Sequence, residues 1–454
     1  VDDLKKILDL RKLFKQRNDQ IRITVNDILV LYRAIQGFGA GALQPTEQAI
    51  LRQTFSKEEQ GTAMALFSMA IMLGPAVGPT LGGYIVDNYA WPWIFYINLP
   101  VGIVGLFMVA TFVQEDEELV ARNREQAERE RKNIDWAGIA LLSMGLSTLQ
   151  YFLEEGARND WFEDRLIMAC FATSVITLVL FVVRELTAAV PVVNLRLFKD
   201  PVFTSGSLVS SLMFAMLMAG MFLLPVFMEE LLGFTATQSG MALMPRVLVM
   251  MLCSPIVGRL YNKVSPRLLV FVGVLFYLAG ALAMSHFNLM TTRLGIIPSI
   301  VLQGIGFSLL FVPLSTVSLS TIPRHLLTDA AGLSSLLRQI GGSMGLAVFA
   351  TLLDRYATVA RHALVAHITP VRAEVTQRLA VVGQALQGRG IPADAAPHAA
   401  LTSLYGAVEK QAMVLSFDRL FLLAGLLFLF IIPMLFFLKT DRSAGAPAPV
   451  QMEH

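Results

Sequence analysis

The chain has 454 residues, of which 55% are hydrophobic and only 15% are charged. Soluble domains carry about 25% charged residues, so this composition excludes an ordinary water-soluble globular protein. The 36 basic and 34 acidic residues leave a formal net charge of +2. This balance argues against a nucleic-acid partner, because such proteins carry a marked basic excess. Both cysteines, Cys170 and Cys253, lie in apolar runs, and we expect neither a disulfide framework nor a metal site.

Long apolar stretches follow one another along the chain. About 20 apolar residues suffice to cross a bilayer as a helix, whereas a membrane barrel shows short segments of alternating polarity. The sequence therefore predicts an all-α membrane protein. We expect eleven transmembrane helices, at 28–50, 61–86, 93–113, 134–153, 166–186, 202–228, 239–261, 268–287, 295–322, 329–353 and 417–438.

The distribution of Lys and Arg between the loops predicts the orientation of these helices, because basic residues concentrate in cytoplasmic loops. Most of them fall in one set of alternate loops, which includes 114–133 and the tail 439–454. We therefore expect a protein of the cytoplasmic (inner) membrane with a cytoplasmic C-terminus. The segment 354–416 then faces outward and is longer than a connection requires. We expect it either to dock a periplasmic adaptor protein or to form a self-contained flap.

An internal repeat divides the chain. The sequence "IQGFG" at 35–39 recurs as "LQGIG" at 302–306. The repeat pairs Gln36 with Gln303, Gly37 with Gly304, Gly74 with Gly341, Gly78 with Gly345 and Asp87 with Asp354. A register that is kept over two consecutive helices indicates a duplicated bundle, an arrangement common in transporters.

The repeat also predicts the organisation of the chain. In the second copy three spans precede the repeated motif, whereas in the first copy only residues 1–27 precede its helix. We therefore expect the N-terminal bundle to be incomplete, lacking three helices. The expected segments are an N-terminal tail 1–27, a partial N-terminal bundle 28–113, a charged cytoplasmic linker 114–133, an inserted helix pair 134–186, a six-helix C-terminal bundle 187–438 and a cytoplasmic tail 439–454.

Arg33, Glu47 and Arg338 are ionisable residues within the predicted spans. A charge in the hydrocarbon region is costly, so we predict that these three residues take part in proton coupling or transport. Two alternatives stay open: Arg33 reaches the outer interface with its long side chain, and Glu47 is a solvated carboxylate at a helix end. Arg246 is a weaker candidate, because its side chain can also reach the outer surface.

The span 61–86 contains the sequence "GPAVGPTLGGYIVD". Gly74, Gly78 and Gly82 are four residues apart, so they share one helix face and allow another backbone to approach closely. We expect this face to be intolerant of larger side chains. Pro75 and Pro79 each remove a backbone donor and bend the helix.

The segment "GRLYNKVSPR" at 258–267 combines a glycine with several basic residues. We expect Gly258, Arg259, Lys263 and Arg267 to lie on a tight cytoplasmic turn and to act as a gate by locking neighbouring helix ends. Simple anchoring by positive charge is compatible with this role. The sequence holds no phosphate-binding, zinc-protease or serine-hydrolase motif, so we expect no enzyme activity and no cofactor.

The segments "LYRAIQGFGAGALQP", "GPAVGPTLGGYI", "WPWIFYINLPVG" and "PVVNLRLFKDPVF" resemble those of the fourteen-helix drug:proton antiporters of the major facilitator superfamily, the EmrB/QacA group. The resemblance runs from about residue 28 to 440. Arg33 and Gly37 match the fourth-helix motif of this family, and 134–186 is similar to its extra helices seven and eight. The residues that match its fifth-helix antiporter motif are Gly74, Pro75, Gly78, Pro79, Gly82 and Gly83. The first three family helices are not in this sequence.

The resemblance implies a two-bundle exporter of small amphipathic or drug-like compounds that exchanges them for protons by alternating access. In such a cycle one carboxylate alternates between two states, one that carries a proton and one that favours binding of the substrate. Arg33 tunes the proton affinity of this carboxylate. The expected partners are small-molecule substrates, protons and the bilayer. Two other hypotheses are an exporter of one metabolite or siderophore, since fold does not fix substrate, and a truncated, transport-inactive fragment.

Overall fold

The structure is a computed structural model of the chain, and it describes residues 28–41, 43, 47, 50, 60–113, 135–188, 191–261, 263–323, 326–369 and 372–435. The expected tails 1–27 and 439–454 and the expected linker 114–133 lie outside the described residues. All regular elements in the described ranges are helices. The prediction of an all-α protein is confirmed.

We number the main helices in chain order. They are α1 (28–41), α2 (Gln60–Asn88), α3 (Trp93–Phe112), α4 (Trp136–Glu155), α5 (Arg165–Thr187), α6 (Pro201–Val226), α7 (Ala236–Tyr261), α8 (Pro266–Met284), α9 (Arg293–Val317), α10 (Leu327–Val365), α11 (Ala373–Gln387) and α12 (Ala396–Leu427). Among the described residues, nine of these helices are long and apolar enough to cross a bilayer. The chain divides into two compact units, Val1–Met64 and Ala65–His454, and α1 belongs to the first.

Side-chain caps fix where several helices begin. The Asp164 carboxylate accepts hydrogen bonds from the first backbone N–H groups of α5, and Asp200 does the same at α6, where Pro201 follows at the first helical position. Thr292 caps α9 through its hydroxyl oxygen. Each cap satisfies a donor that has no partner inside the helix. The predicted spans 166–186 and 202–228 therefore start within a residue of the observed helices.

The helices α6 to α10 and α12 form one bundle around a common apolar core. The helix α9 is central: it packs against α7 and α8 and touches α6, while α6 also packs along α10. Near one end, Phe227, Phe287, Phe417 and Phe421 form a cluster of aromatic rings. The division of the chain into a partial N-terminal bundle, an inserted pair and a C-terminal bundle stays a prediction.

The helices α4 and α5 pack against each other as a pair. An ion pair clamps one end: Arg184 Nε lies 2.8 and 2.7 Å from the two carboxylate oxygens of Asp135. Asp135 also accepts the Gly138 N–H of the first turn of α4. The Arg184 guanidinium, together with this backbone bond, holds the pKa of Asp135 below its usual range, so the clamp stays charged at neutral pH.

Two helices extend well beyond the spans expected for them. The helix α10 continues past the expected end at 353 to Val365, and α12 begins at Ala396, ahead of the expected start at 417. The helix α11 lies between them and packs on α12. The helical periodicity of 354–416 continues after its apolar content falls, so the helices do not end where the apolar runs end. We call this end of the bundle the α11 end.

Candidate transport site

The repeated motif on α9 brings three helices into close contact. A Cβ at Gly304 would lie 2.6 Å from the main-chain oxygen of Arg246 on α7. On the other side, a Cβ at Gly306 would lie 2.7 Å from the Gly273 oxygen of α8. Gln303 is 4% exposed and donates to Met284 Sδ at 3.4 Å. The motif therefore lets α9 fit between α7 and α8, since only glycine leaves room for these backbones.

The first copy of the motif lies on α1. Gln36 Oε1 accepts a hydrogen bond from Arg33 Nη1 at 3.0 Å, and both side chains are exposed. No atom of the described chain lies within 4 Å of a Cβ at Gly37, and Glu47 is exposed. The roles of Arg33, Glu47, Gln36 and Gly37 stay predictions.

A seam of glycines joins α2 to α7. A Cβ at Gly83 would lie 2.5 Å from the carbonyl carbon of Ala236, and one at Gly240 would lie 2.5 Å from the carbonyl oxygen of Pro79. Each helix thus presents a glycine to the backbone of the other. Of the residues predicted to form the antiporter motif, Gly83 and Pro79 are in this contact.

Asp87 completes the seam at the first turn of α7. Its Oδ2 accepts the Thr237 N–H at 2.8 Å and the Thr237 hydroxyl at 2.5 Å. At the start of α7, Thr235 just before the helix and Gln238 in its first turn form a reciprocal capping pair. The bonds from Thr237 hold the pKa of Asp87 below its usual range. The contact is therefore lost only when pH falls through this lowered pKa, and it persists at neutral pH.

The glycines Gly74, Gly78 and Gly82 are not among the contacts of this seam. Nothing in the described part of the chain lies within 4 Å of a Cβ at any of the three, so close packing on this face stays a prediction. The side chain of Pro75 is outside the described residues.

The repeat partners of that face, Gly341 and Gly345, pack closely against another helix. A Cβ at Gly341 would lie 2.5 Å from the Ser211 oxygen, and one at Gly345 would lie 2.6 Å from the Ala215 Cα. Both contacts join α10 to α6. The Ser211 hydroxyl adds a hydrogen bond to the Leu337 oxygen at 2.7 Å.

Arg338 is half-buried on α10. Its Nη1 donates to the Ser334 hydroxyl at 3.1 Å, and its guanidinium carbon lies 5.7 Å from the centre of the Phe214 ring. Such a cation over an aromatic face is stabilised by the ring quadrupole. Phe214 itself contacts Phe307 and Phe311 of α9, so Arg338 lies at an aromatic wall between α6, α9 and α10.

Arg246 differs from the sequence-based expectation. Its side chain is 3% exposed and lies inside the bundle, so the interpretation that it reaches the outer surface is wrong. The reason is the position of the residue on α7, whose backbone here touches Gly304 of α9. Among the described residues, its Nε, Nη1 and Nη2 have no hydrogen-bond partner.

Most of the basic segment 258–267, expected to be a tight turn, is helical. The helix α7 continues to Tyr261 and α8 starts at Pro266, so Gly258 and Arg259 are helical and Arg267 lies in α8. Only Lys263 of the four lies in the connection, which closes through hydrogen bonds from Lys263 N and Val264 N to the Leu260 oxygen. Pro266 occupies the first position of α8, where a proline is favoured because its missing N–H has no helical partner there.

Residues 21–346 match the family model of the major facilitator superfamily. The chain belongs to the major facilitator superfamily. It is similar to the fatty acid resistance protein FarB of Neisseria gonorrhoeae, with 31% identity over 92% of this chain and 79% of FarB. It is equally similar, at 31% identity and the same two coverages, to the multidrug export protein EmrB of Escherichia coli K12.

A third relative is the colistin resistance protein EmrB of Acinetobacter baumannii, which is 30% identical over 88% of this chain and 76% of the relative. The resemblance to EmrB-type exporters is confirmed. Membership in this family makes the chain a membrane transporter of the drug-export type and not an enzyme.

Sequence reasoning missed the seam partners on α7 and the surroundings of Arg246. Thr237 belongs to no recognisable motif, and Gly240 shares only the weak small-residue spacing with Ala236, so their contacts with α2 make them part of the site. A signal for the start of α7 was available, because Thr235 and Gln238 have the spacing of a capping box. Tyr277, next to Arg246, has no signal in an apolar helix.

Proposed function

We propose that this protein exports small amphipathic or drug-like compounds across the cytoplasmic membrane in exchange for protons. The α2–α7 seam carries this proposal, because it joins a helix of the first repeat copy to a helix of the second. Alternating access requires that such contacts between copies form in one state and separate in another. The seam consists of glycines and of one carboxylate, Asp87, bound to the first turn of α7. The glycines allow the two helices to pack closely, and only a few hydrogen bonds must break when the helices separate.

The charged residues divide into expected roles. Arg33 lies on α1, the helix of the first repeated motif, and Glu47 follows it in the chain; Arg33 tunes the proton affinity of a carboxylate. Arg338 lies in the second copy at an aromatic wall that suits amphipathic compounds. The basic residues Arg259, Lys263 and Arg267 belong to the cytoplasmic side by the positive-inside rule, which also gives a cytoplasmic C-terminus.

Replacement of Arg33 by alanine tests the coupling. We expect drug-driven proton flux to be lost in proteoliposomes while expression and membrane insertion stay near those of the wild type, because α1 exposes this side chain. Flux is measured with an internal pH dye after addition of ethidium. The control is Arg196→Ala, an exposed arginine of a short connecting helix, which should leave flux unchanged. Normal flux in Arg33→Ala would exclude the coupling role.

An exporter of one specific metabolite or siderophore is the alternative. The relatives are named for fatty acid resistance, multidrug export and colistin resistance, and this breadth favours several substrates. A panel of chemically unrelated compounds separates the two hypotheses, since a multidrug exporter should respond to more than one of them.

We further propose that the α11 end contacts a periplasmic adaptor protein. The helix α11 packs on α12 and leaves Gln384 and Gln387 exposed. Cysteines introduced at these two positions should form crosslinks to one discrete partner in whole cells. Cysteine at Arg158, an exposed site of the inserted pair, is the control and should not. Absence of a crosslinked partner would favour a self-contained flap.

A further inference from the structure

Arg246 carries an unbalanced charge in the interior of the bundle. Neither the ion pair of Arg158 with Glu155 nor that of Arg184 with Asp135 includes Arg246. All three guanidinium nitrogens lack an acceptor within the described ranges. A buried charge is strongly disfavoured unless an opposite charge or hydrogen bonds compensate it. The guanidinium is therefore suited to receive an anion.

A second hydrogen-bond donor lies close to this guanidinium. A Cβ at Gly220 on α6 would lie 3.6 Å from Arg246 Nη1 and 4.0 Å from the Tyr277 hydroxyl oxygen. The Arg246 guanidinium and the Tyr277 hydroxyl therefore both lie next to Gly220, which has no side chain between them. The Tyr277 hydroxyl donates to the Met216 oxygen at 3.4 Å, a long bond that it can exchange for a better acceptor.

The depth of Arg246 fits a transported ligand. It lies ten residues after Ala236, the first residue of α7, which corresponds to about 15 Å along the helix. The 26 residues of α7 span about 39 Å, so Arg246 lies nearer the middle of the helix than its first residue, and substrate sites of secondary transporters lie near the midplane.

Arg338 gives the same region a second positive charge. It reaches α6 at Phe214, whereas Arg246 reaches α6 at Gly220, so the two cations flank one helix. Neither has a carboxylate partner among the described side chains. Two cations without counter-ions make this part of the bundle favourable for an anion.

We propose that Arg246 and Tyr277 bind the carboxylate of an amphipathic organic anion that the protein exports. Arg246 supplies paired N–H donors that match the two carboxylate oxygens, and Tyr277 supplies an O–H donor. The apolar part of the ligand contacts the apolar core of the bundle. This assignment rests on the proposed export function and names one substrate class for it.

Binding of three matched probes to the purified full chain in nanodiscs tests the site. The probes are dodecanoate, its neutral methyl ester and dodecyltrimethylammonium, which share a twelve-carbon chain and differ in charge. We expect the wild type to bind dodecanoate roughly tenfold or more tightly than the ester. Arg246→Gln should remove this preference and leave binding of the cation unchanged, while Arg246→Lys keeps part of it. Tyr277→Phe should weaken dodecanoate binding roughly fivefold.

The control variant is Arg293→Gln, an exposed arginine at the start of α9, which should bind all three probes as the wild type does. Equal binding of acid and ester by the wild type would overturn the proposal. So would equal weakening of all probes in Arg246→Gln without recovery in Arg246→Lys, since that result indicates a structural role. If Arg246→Gln does not fold, the acid-to-ester ratio and Tyr277→Phe decide.

A different result would contradict the proposed export function. In that case proteoliposomes show no transport of any of the three probes or of ethidium, whatever the binding preference. A preference for the acid with no transport would leave Arg246 as an anion site in a protein that does not export.

Discussion

Replacement of Gly240 by leucine is expected to abolish export. At Gly240 the first side-chain carbon would lie 2.5 Å from the Pro79 oxygen and 2.6 Å from the Thr80 Cα. Backbone atoms cannot rotate away as a side chain can, so α2 and α7 must separate. Overpacking of this kind costs roughly 1–3 kcal/mol, and here it falls on the seam between the two repeat copies.

Loss of close packing should leave the seam unable to close. We expect efflux of ethidium from resistant cells to fall to the level of cells without the protein, with a proton leak in proteoliposomes. Gly83→Leu, the reciprocal change on α2, should have the same effect. The control is Gly406→Leu on α12, where no described atom lies within 4 Å of the new Cβ. Normal efflux in both seam variants would show that the seam is not a gate.

Replacement of Gly345 by leucine should instead damage the fold. Its Cβ would lie 2.6 Å from the Ala215 Cα, in the long contact between α6 and α10. Because both helices belong to the same bundle, they have no open state in which the larger side chain fits. We expect a destabilisation of at least about 1–3 kcal/mol, visible as a lower melting temperature and aggregation after extraction.

Thermal unfolding of the purified variants measures this effect, and fluorescence size-exclusion profiles report aggregation. Gly406→Leu again provides the comparison, since it has the same gain in helix propensity of about 1 kcal/mol without the clash. A melting temperature of Gly345→Leu equal to that of Gly406→Leu would show that α6 and α10 separate easily. The contrast with Gly240→Leu distinguishes a contact within a bundle from a contact between copies.

The helices themselves were largely predictable from the sequence. Apolar length predicts α4 and α5 to within two residues at each end, because Asp135 and Asp164 cap the helices where the apolar runs begin. The same criterion fails for α10 and α12, which continue as helices after their apolar runs end. Hydropathy measures what a membrane accepts, whereas helix ends depend on local caps and packing.

The site was only partly predictable, for a related reason. The spacing of Gly341 and Gly345 predicts a small-residue face, and the structure shows such a face against α6. The seam glycine Gly240 has only Ala236 at this spacing, a weaker signal than two glycines, and the burial of Arg246 depends on the surrounding helices rather than on its own sequence. Contacts between distant segments leave little trace in one sequence when each partner contributes a single residue.

The length of α10 has a mechanical consequence. Its 39 residues correspond to about 58 Å of helix, nearly twice the roughly 30 Å hydrocarbon core. Even at a tilt of about 40°, the upper end of the usual range, it projects beyond the core. A rod held at its middle by the bundle moves most at its tip, in proportion to the distance from the axis of rotation. A small rotation of α10 in the membrane therefore produces a large displacement at the α11 end. A molecule bound at the α11 end would move with it.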